Sequence, residues 1–139
     1  MLLTRALVEA IPHVLEVVKQ YRRKLLNGEI PVWDLIVTKH LSKDPKRYRQ
    51  KVSQVIAAEQ LMKEGAEISA GQNLRFVFTS ANNRRYERRV LAEQLIDANT
   101  NSDFQKYLSL LYSAAASLLS PFGYTTRDVQ NKANATLLT

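Results

Sequence analysis

The sequence predicts a mainly helical fold with a small antiparallel β element, the α+β class. Three observations lead there. Apolar residues recur at helical spacing near both ends of the chain, Leu74–Thr79 switches to strict alternation, and an arginine-rich loop then leads into a second strand-like stretch.

In chain order, Ile11, Val14, Leu15, Val18 and Leu25 predict an amphipathic helix over about residues 5–26. Pro12 is either a kink in it or the first helical residue of a second segment. Asn27 and Gly28 favour the left-handed backbone that closes a helix. The short apolar run "PVWDLIV" (31–37) fits helix and strand alike. Asp44-Pro45 reads as a helix start, with Tyr48, Val52, Val55, Ala58 and Met62 marking one face up to a stop at Gly65. Leu74, Phe76 and Phe78 then share one side of a strand, and Arg75, Val77 and Thr79 the other. Its antiparallel partner is expected over about residues 89–96. Ser102 with Gln105 fits a capping box before a helix over 104–119, striped by Phe104, Leu108, Leu111, Ala115 and Leu118. Pro121 and Gly123 end that helix. Residues 1–129 are expected to form a single domain, and 130–139 a flexible tail.

A chain of 139 residues, 45% apolar and 24% charged, has room for one modest core. No apolar run approaches the roughly 18 residues of a membrane span, so no membrane partner is expected. The N-terminus lacks the order of a secretory signal, and a cytoplasmic location is expected, nucleoid-associated in a prokaryote. With no cysteine, disulfides and thiolate metal sites are excluded.

Charge is the more informative feature. Twenty Lys and Arg against thirteen Asp and Glu leave 20 − 13 = +7, which makes nucleic acid or an anionic membrane the default partner. The excess is clumped. Between Lys39 and Lys51 six cations (Lys39, Lys43, Lys46, Arg47, Arg49, Lys51) face one acid, Asp44, a balance of 6 − 1 = +5. "KQYRRK" (19–24) and "NNRRYERR" (82–89) carry four positive residues each.

No catalytic or metal constellation accompanies them. His13 and His40 have no companion ligands at metal spacing, Ser42 and His40 lack an orienting acid, and no glycine-rich phosphate loop occurs. A binding role is therefore expected, without a cofactor in this chain.

The block "GEIPVWDLIVTKHLSKDPKRY" (28–48), together with five segments C-terminal to it, resembles the thumb, the C-terminal domain, of a family B DNA polymerase. Those segments are "VIAAEQLMKEG" (55–65), "AGQNLRFVFT" (70–79), "RRVLAEQL" (88–95), the helix 104–119 and "PFGYTTRDV" (121–129), in the family's order. Two departures stand out. Ser53-Gln54-Val55 occupies the place of the family's Pro-His-Val, and "VQNKANATLLT" (129–139) lacks the paired aromatics of a clamp-binding peptide.

The resemblance implies a part that grips primer–template duplex DNA while the palm, elsewhere, holds the Mg²⁺-binding carboxylates. Nothing here matches the palm's Asp-Thr-Asp motif, so the chain alone is expected to be inactive. Its implied partners are the remaining polymerase domains or a separate catalytic chain. The implied backbone contacts are Lys39, His40, Ser42 and Lys43, with Arg47, Tyr48 and Lys51 as neighbours and Arg88 before "LAE". Arg84 and Arg85 join them on charge and loop position alone. Independently of the family, a grip indifferent to sequence calls for Lys, Arg, hydroxyl and N–H donors aimed at phosphate, and "TKHLSKDPKRYR" (38–49) supplies those types.

Several residues fit two roles. Tyr48 suits a core anchor as well as a phosphate donor, His40 could pack beside the loop, Lys46 and Arg49 could be merely solvated, and Trp33 is expected to pack on the first helix. Two alternative functions stay open: a protein-interaction subunit docking on a catalytic chain, and a generic basic nucleic-acid-binding domain.

Overall fold

The computed structural model of the protein describes residues 2–135. It contains four α-helices, α1 (Leu2–Leu26), α2 (Ser53–Lys63), α3 (Phe104–Leu119) and α4 (Thr126–Ala135), and three strands, β1 (Val37–His40), β2 (Asn73–Phe78) and β3 (Val90–Ala92). The α+β class holds. The chain divides into two compact units, one made by Pro31–Asp103 and the other by α1, α3 and α4.

In the helical unit, α1 runs on through Pro12. Its end is closed by the Gly28 N–H on the Leu25 carbonyl (3.2 Å) and the Glu29 N–H on that of Lys24 (2.9 Å). That pairing requires a left-handed residue, and Gly28 sits at φ 66°. Val18, Tyr112, Ala115, Ala116, Leu119, Val129 and Ala133 form the core, with Ile11, Val14, Leu15 and Leu108 packed around it. The expected stripe on α3 holds in its middle, where Ala115 is buried and Leu108 and Leu111 pack against the core, but not at its two ends. Leu118 is 67% exposed and Phe104 42%, while Tyr112, Ala116 and Leu119 are buried. Apolar residues surround α3 on most sides, so its buried face is wider than the expected stripe and takes in Tyr112, Ala116 and Leu119 as well.

The expected tail is corrected for residues 130–135, which belong to α4; 136–139 lie outside the described residues. Only Val129 and Ala133, at i and i+4, bury an apolar face there, a signal too thin for periodicity. A reciprocal cap holds the helix start. The Thr125 N–H donates to the Asp128 carboxylate (2.8 Å), and the Asp128 N–H to the Thr125 hydroxyl (3.2 Å).

In the second unit the sheet order is β1-β2-β3, antiparallel throughout, with Val37 opposite Phe76, Phe76 opposite Ala92 and Phe78 opposite Val90. "PVWDLIV" thus resolves into a short 3₁₀ turn, Val32–Leu35, followed by β1. The alternation in β2 holds at Leu74 and Phe76, but Val77 is buried as well, so both sides are covered at that end. Helix α2 packs on β2 and β3, and its Val55, Ile56, Ala57, Ala58 and Leu61 are buried. Its Gln60 amide clasps β3, donating to the Val90 carbonyl and accepting from the Ala92 N–H, both at 2.8 Å. Those bonds occupy backbone groups of an edge strand that would otherwise be open to pairing. β3 stops at Ala92, shorter than expected, because Glu93–Leu95 closes as a 3₁₀ turn.

The helix expected from Asp44 to Gly65 is also corrected. Pro45–Arg47 is a 3₁₀ turn, Tyr48 is extended, and α2 begins only at Ser53. Two side chains divert the chain. The Asp44 carboxylate accepts the Lys46 N–H (2.9 Å), and the Tyr48 hydroxyl reaches back to the Ser42 N–H (2.9 Å). Local bonds of this kind compete with helix propagation.

Asp128 supplies a test of the α4 cap. The Thr125 N–H and then its hydroxyl, aided by Arg127, hold the Asp128 carboxyl below its ordinary value. A depressed folded-state pKa contributes stability that is full above the unfolded-state value and is lost as pH falls through the folded one. Thermal unfolding followed between neutral pH and about pH 3 should therefore show Asp128→Asn weaker at neutrality but less sensitive to acid. Parallel pH profiles for the two proteins would refute the cap.

Candidate nucleic-acid interface

The basic segment is laid out by a strand and two buried pins. β1 pairs with β2 through Lys39 opposite Leu74 and His40 opposite Asn73. Alternation puts Lys39 and His40 on different sides of the strand, and both are exposed. Leu41 is fully buried, its N–H on the Gln72 carbonyl (2.9 Å) and its carbonyl accepting the Gly71 N–H (2.8 Å). Pro45 is buried too. Between and beyond these pins Ser42, Lys43, Lys46 and Arg47 all face water.

Within this stretch the polar groups are pre-positioned. The Tyr48 hydroxyl accepts the Ser42 N–H and lies 3.2 Å from the Ser42 hydroxyl, and the Lys43 ammonium stands 4.9 Å from the Tyr48 ring centre. Tyr48 is thus neither a helix-face residue nor a core anchor. The Ser42 hydroxyl, opposed in part by desolvation, and then the Ser42 and Lys43 N–H groups draw the phenol below its ordinary pKa. His40 Nδ1 lies 3.0 Å from the Asn73 side-chain oxygen, and the Gln54 amide donates to the His40 carbonyl at 3.5 Å. Asn73 is 33 residues away, beyond any linear pattern. Gln54 stands where this chain departs from the family's Pro-His-Val.

Lys51 is differently placed. It pairs with Glu59, which raises its pKa, and it lies over the Tyr86 ring at 5.4 Å. Its charge is partly answered within the protein. The Tyr86 contact brings the second basic segment alongside, and Tyr86 is visible in "NNRRYERR" as an aromatic set among arginines. Of those arginines, Arg89 turns inward, its Nε on the Asn83 carbonyl (2.8 Å), while Arg84, Arg85 and Arg88 are exposed. The Arg85 N–H donates to the Asn83 side chain (3.0 Å) and the Arg88 carbonyl accepts the Thr79 hydroxyl (2.8 Å), so the loop backbone is held while the guanidinium groups project. Trp33 is 53% exposed.

Exposed ammonium and guanidinium groups on a pinned backbone, with a hydroxyl pair among them, can donate to a row of phosphate oxygens. Among the described residues no three His, Asp or Glu side chains converge as metal ligands, and no helix is long and apolar enough to cross a membrane.

Comparison with known proteins fits this geometry. Residues 2–122 match the family model described as DNA polymerase family B. The chain is 33% identical over 94 residues to a DNA polymerase of Methanocaldococcus jannaschii, covering 65% of this chain and 6% of that protein. It is 22% identical over 121 residues to a DNA polymerase of Thermococcus sp. strain 9oN-7, covering 86% of this chain and 16% of that one. The solved family B DNA polymerase of Pyrobaculum calidifontis shares the fold at a TM-score of 0.66 and 22% identity, over 79% of this chain and 14% of its own. The chain therefore spans only a small part of the relatives it matches.

The Ser42–Tyr48 pair can be tested directly. In an alkaline absorbance titration, the component missing from Tyr48→Phe should be centred below the ordinary tyrosine value of 10.0. Ser42→Ala should move that component upward. A component unmoved by Ser42→Ala would show that the pair does not form.

Proposed function

The chain belongs to DNA polymerase family B, and on that premise we propose that it is the thumb part, gripping primer–template duplex DNA through its phosphate backbone. The observation that carries this reading is the run Lys39, His40, Ser42 and Lys43, held outward by buried Leu41 and Pro45. Arg47, Tyr48, Arg84, Arg85 and Arg88 extend the contact, with Lys51 contributing less because Glu59 holds it. All these groups recognise charge or phosphate oxygen, so the grip is indifferent to base sequence.

Nucleotidyl transfer by two metal ions needs clustered carboxylates. Among the described residues no group of three or more His, Asp or Glu side chains is placed to hold a metal ion. In this reading the palm carboxylates and their metals belong to other polymerase domains or to a separate catalytic chain, and this part works beside them on DNA in the cytoplasm, nucleoid-associated if the source is prokaryotic. A second reading, a subunit that docks on a catalytic chain, draws on the exposed apolar residues Leu118 and Trp33. The two separate on whether the isolated protein binds primer–template DNA.

If the segment neutralises about 4–5 phosphates, log affinity should fall against log salt with a slope near −4, from roughly −0.9 per phosphate. Lys43→Ala should weaken binding equally on unrelated duplexes and make the slope shallower by about 0.9. Lys63→Ala, at the far end of α2, should do much less. Titration of the three proteins on two primer–template duplexes at several salt concentrations decides it. Equal losses from both substitutions, or preference for one duplex, would reduce the basic segment to a solvated surface.

Primer extension provides a separate check. With Mg²⁺ and deoxynucleotides the chain alone should incorporate nothing, and metal-dependent extension by a pure preparation would overturn the assignment.

A further inference from the structure

The cluster "KQYRRK" on α1 is not among the residues proposed for the duplex grip. Lys19, Arg22, Arg23 and Lys24 follow one another with no acid between Glu16 and Glu29. In the helical unit Lys19, Arg22 and Arg23 border a cavity of about 330 Å³, and Arg22 also borders a second of about 460 Å³. Arg22 and Leu26 line both cavities, which therefore adjoin along the last turns of α1 as one trough.

The chemistry of the trough is uneven along its length. At the first cavity Lys19, Arg22 and Arg23 outnumber the lone acid, Glu16. The second cavity carries no acid and exposes Phe104 beside the amides of Gln105, Gln130 and Asn134. Arg22 sits at the junction with its Nε on the Tyr112 hydroxyl at 3.0 Å, which fixes the guanidinium while leaving its other donors. A cavity of this size suits one or two nucleotides and is far too narrow for a duplex. Cations for phosphate, neutral amides for base edges and an accessible ring for stacking are the components of a single-strand site.

We propose that this trough binds single-stranded nucleic acid, with phosphates along Lys19, Arg22 and Arg23 and a base stacked on Phe104. The site lies in the helical unit, and residues 39–51 belong to the other unit.

The test uses the full chain and a fluorescent oligothymidylate of about twelve nucleotides. The double substitution Lys19→Gln/Arg23→Gln should weaken binding about tenfold or more. It should also make the salt slope shallower by about 1.4, from roughly 0.7 per phosphate on a single strand. Phe104→Ala should weaken binding about fivefold or more, and Phe104→Tyr, which keeps a stacking ring, should restore it. On a blunt duplex these variants should bind as the wild type does, which separates the trough from the duplex grip. Three results would overturn the proposal: no binding of the oligonucleotide by the wild type, equal losses on single strand and blunt duplex, or equally strong competition from a glutamate-rich peptide. Circular dichroism of each variant, expected to match the wild type, confirms that an altered fold is not the cause.

Discussion

Burial of Leu41 is the constraint on which the candidate interface depends. It is a single apolar residue between His40 and Ser42, yet it is fully enclosed and bonded through both backbone groups to the turn before β2. Truncating a buried leucine commonly costs about 2–5 kcal/mol, a large fraction of the marginal stability of a small domain. No exposed lysine or hydroxyl nearby contributes on that scale. The backbone of the basic segment is therefore set by what Leu41 and Pro45 bury, and the cations follow passively, on whichever positions remain outside.

Much of this was legible in the sequence because it rests on period and turn chemistry. Leu74 and Phe76 alternate with polar neighbours, and β2 lies where they place it. Gly28 and Gly65 close helices at positive φ, as their spacing after the apolar runs indicates. The exposed cations of residues 39–51 were legible as well, since clustered like charges have nowhere to go but solvent. What failed has physical causes. Asp44-Pro45 carries a genuine cap, but the Tyr48 hydroxyl ends the turn through a bond to Ser42 that no propensity describes. On α3, Leu108, Leu111 and Ala115 face the core as their spacing indicates, but tertiary packing adds Tyr112 and Leu119 and leaves Leu118 outside. Helix α4 escaped notice because two small residues make its whole buried face. Asn73 and Tyr86 reach the interface from distant segments, by strand register and by loop packing, which a single sequence does not expose.

The electrostatics of the basic segment are ordered by commitment rather than by charge alone. Arg89 and Lys51 have partners, Arg75 is paired with Glu93, and Lys43 stands over a tyrosine ring. Exposed ion pairs of this kind are weak and screened by salt. On the proposed grip, a phosphate at Lys51 would therefore have to displace Glu59, while at Lys39 no such competitor is bonded among the described residues. Equal formal charges thus carry unequal capacity for a polyanion, and a count of lysines and arginines overstates the interface.

Gln54 shows the same logic at a neutral residue. Where the resemblance to the family leads one to look for histidine, this chain has an amide whose N–H₂ reaches the His40 carbonyl at 3.5 Å, a marginal distance for a hydrogen bond. A histidine can carry a proton and with it a charge, whereas glutamine offers only dipolar donors at every pH. On the proposed grip, the substitution would transfer the donor role at this corner to the Gln54 amide and the neighbouring His40 ring, which lies 3.0 Å from the Asn73 side-chain oxygen. A backbone grip tolerates such a transfer because phosphate oxygens repeat along the duplex and accept a donor from several directions. Base readout would not, since a bidentate contact fixes both the donor pair and its angle. Relocation of a donor within a fixed, pinned scaffold is thus more compatible with a surface that positions a duplex than with one that reads it.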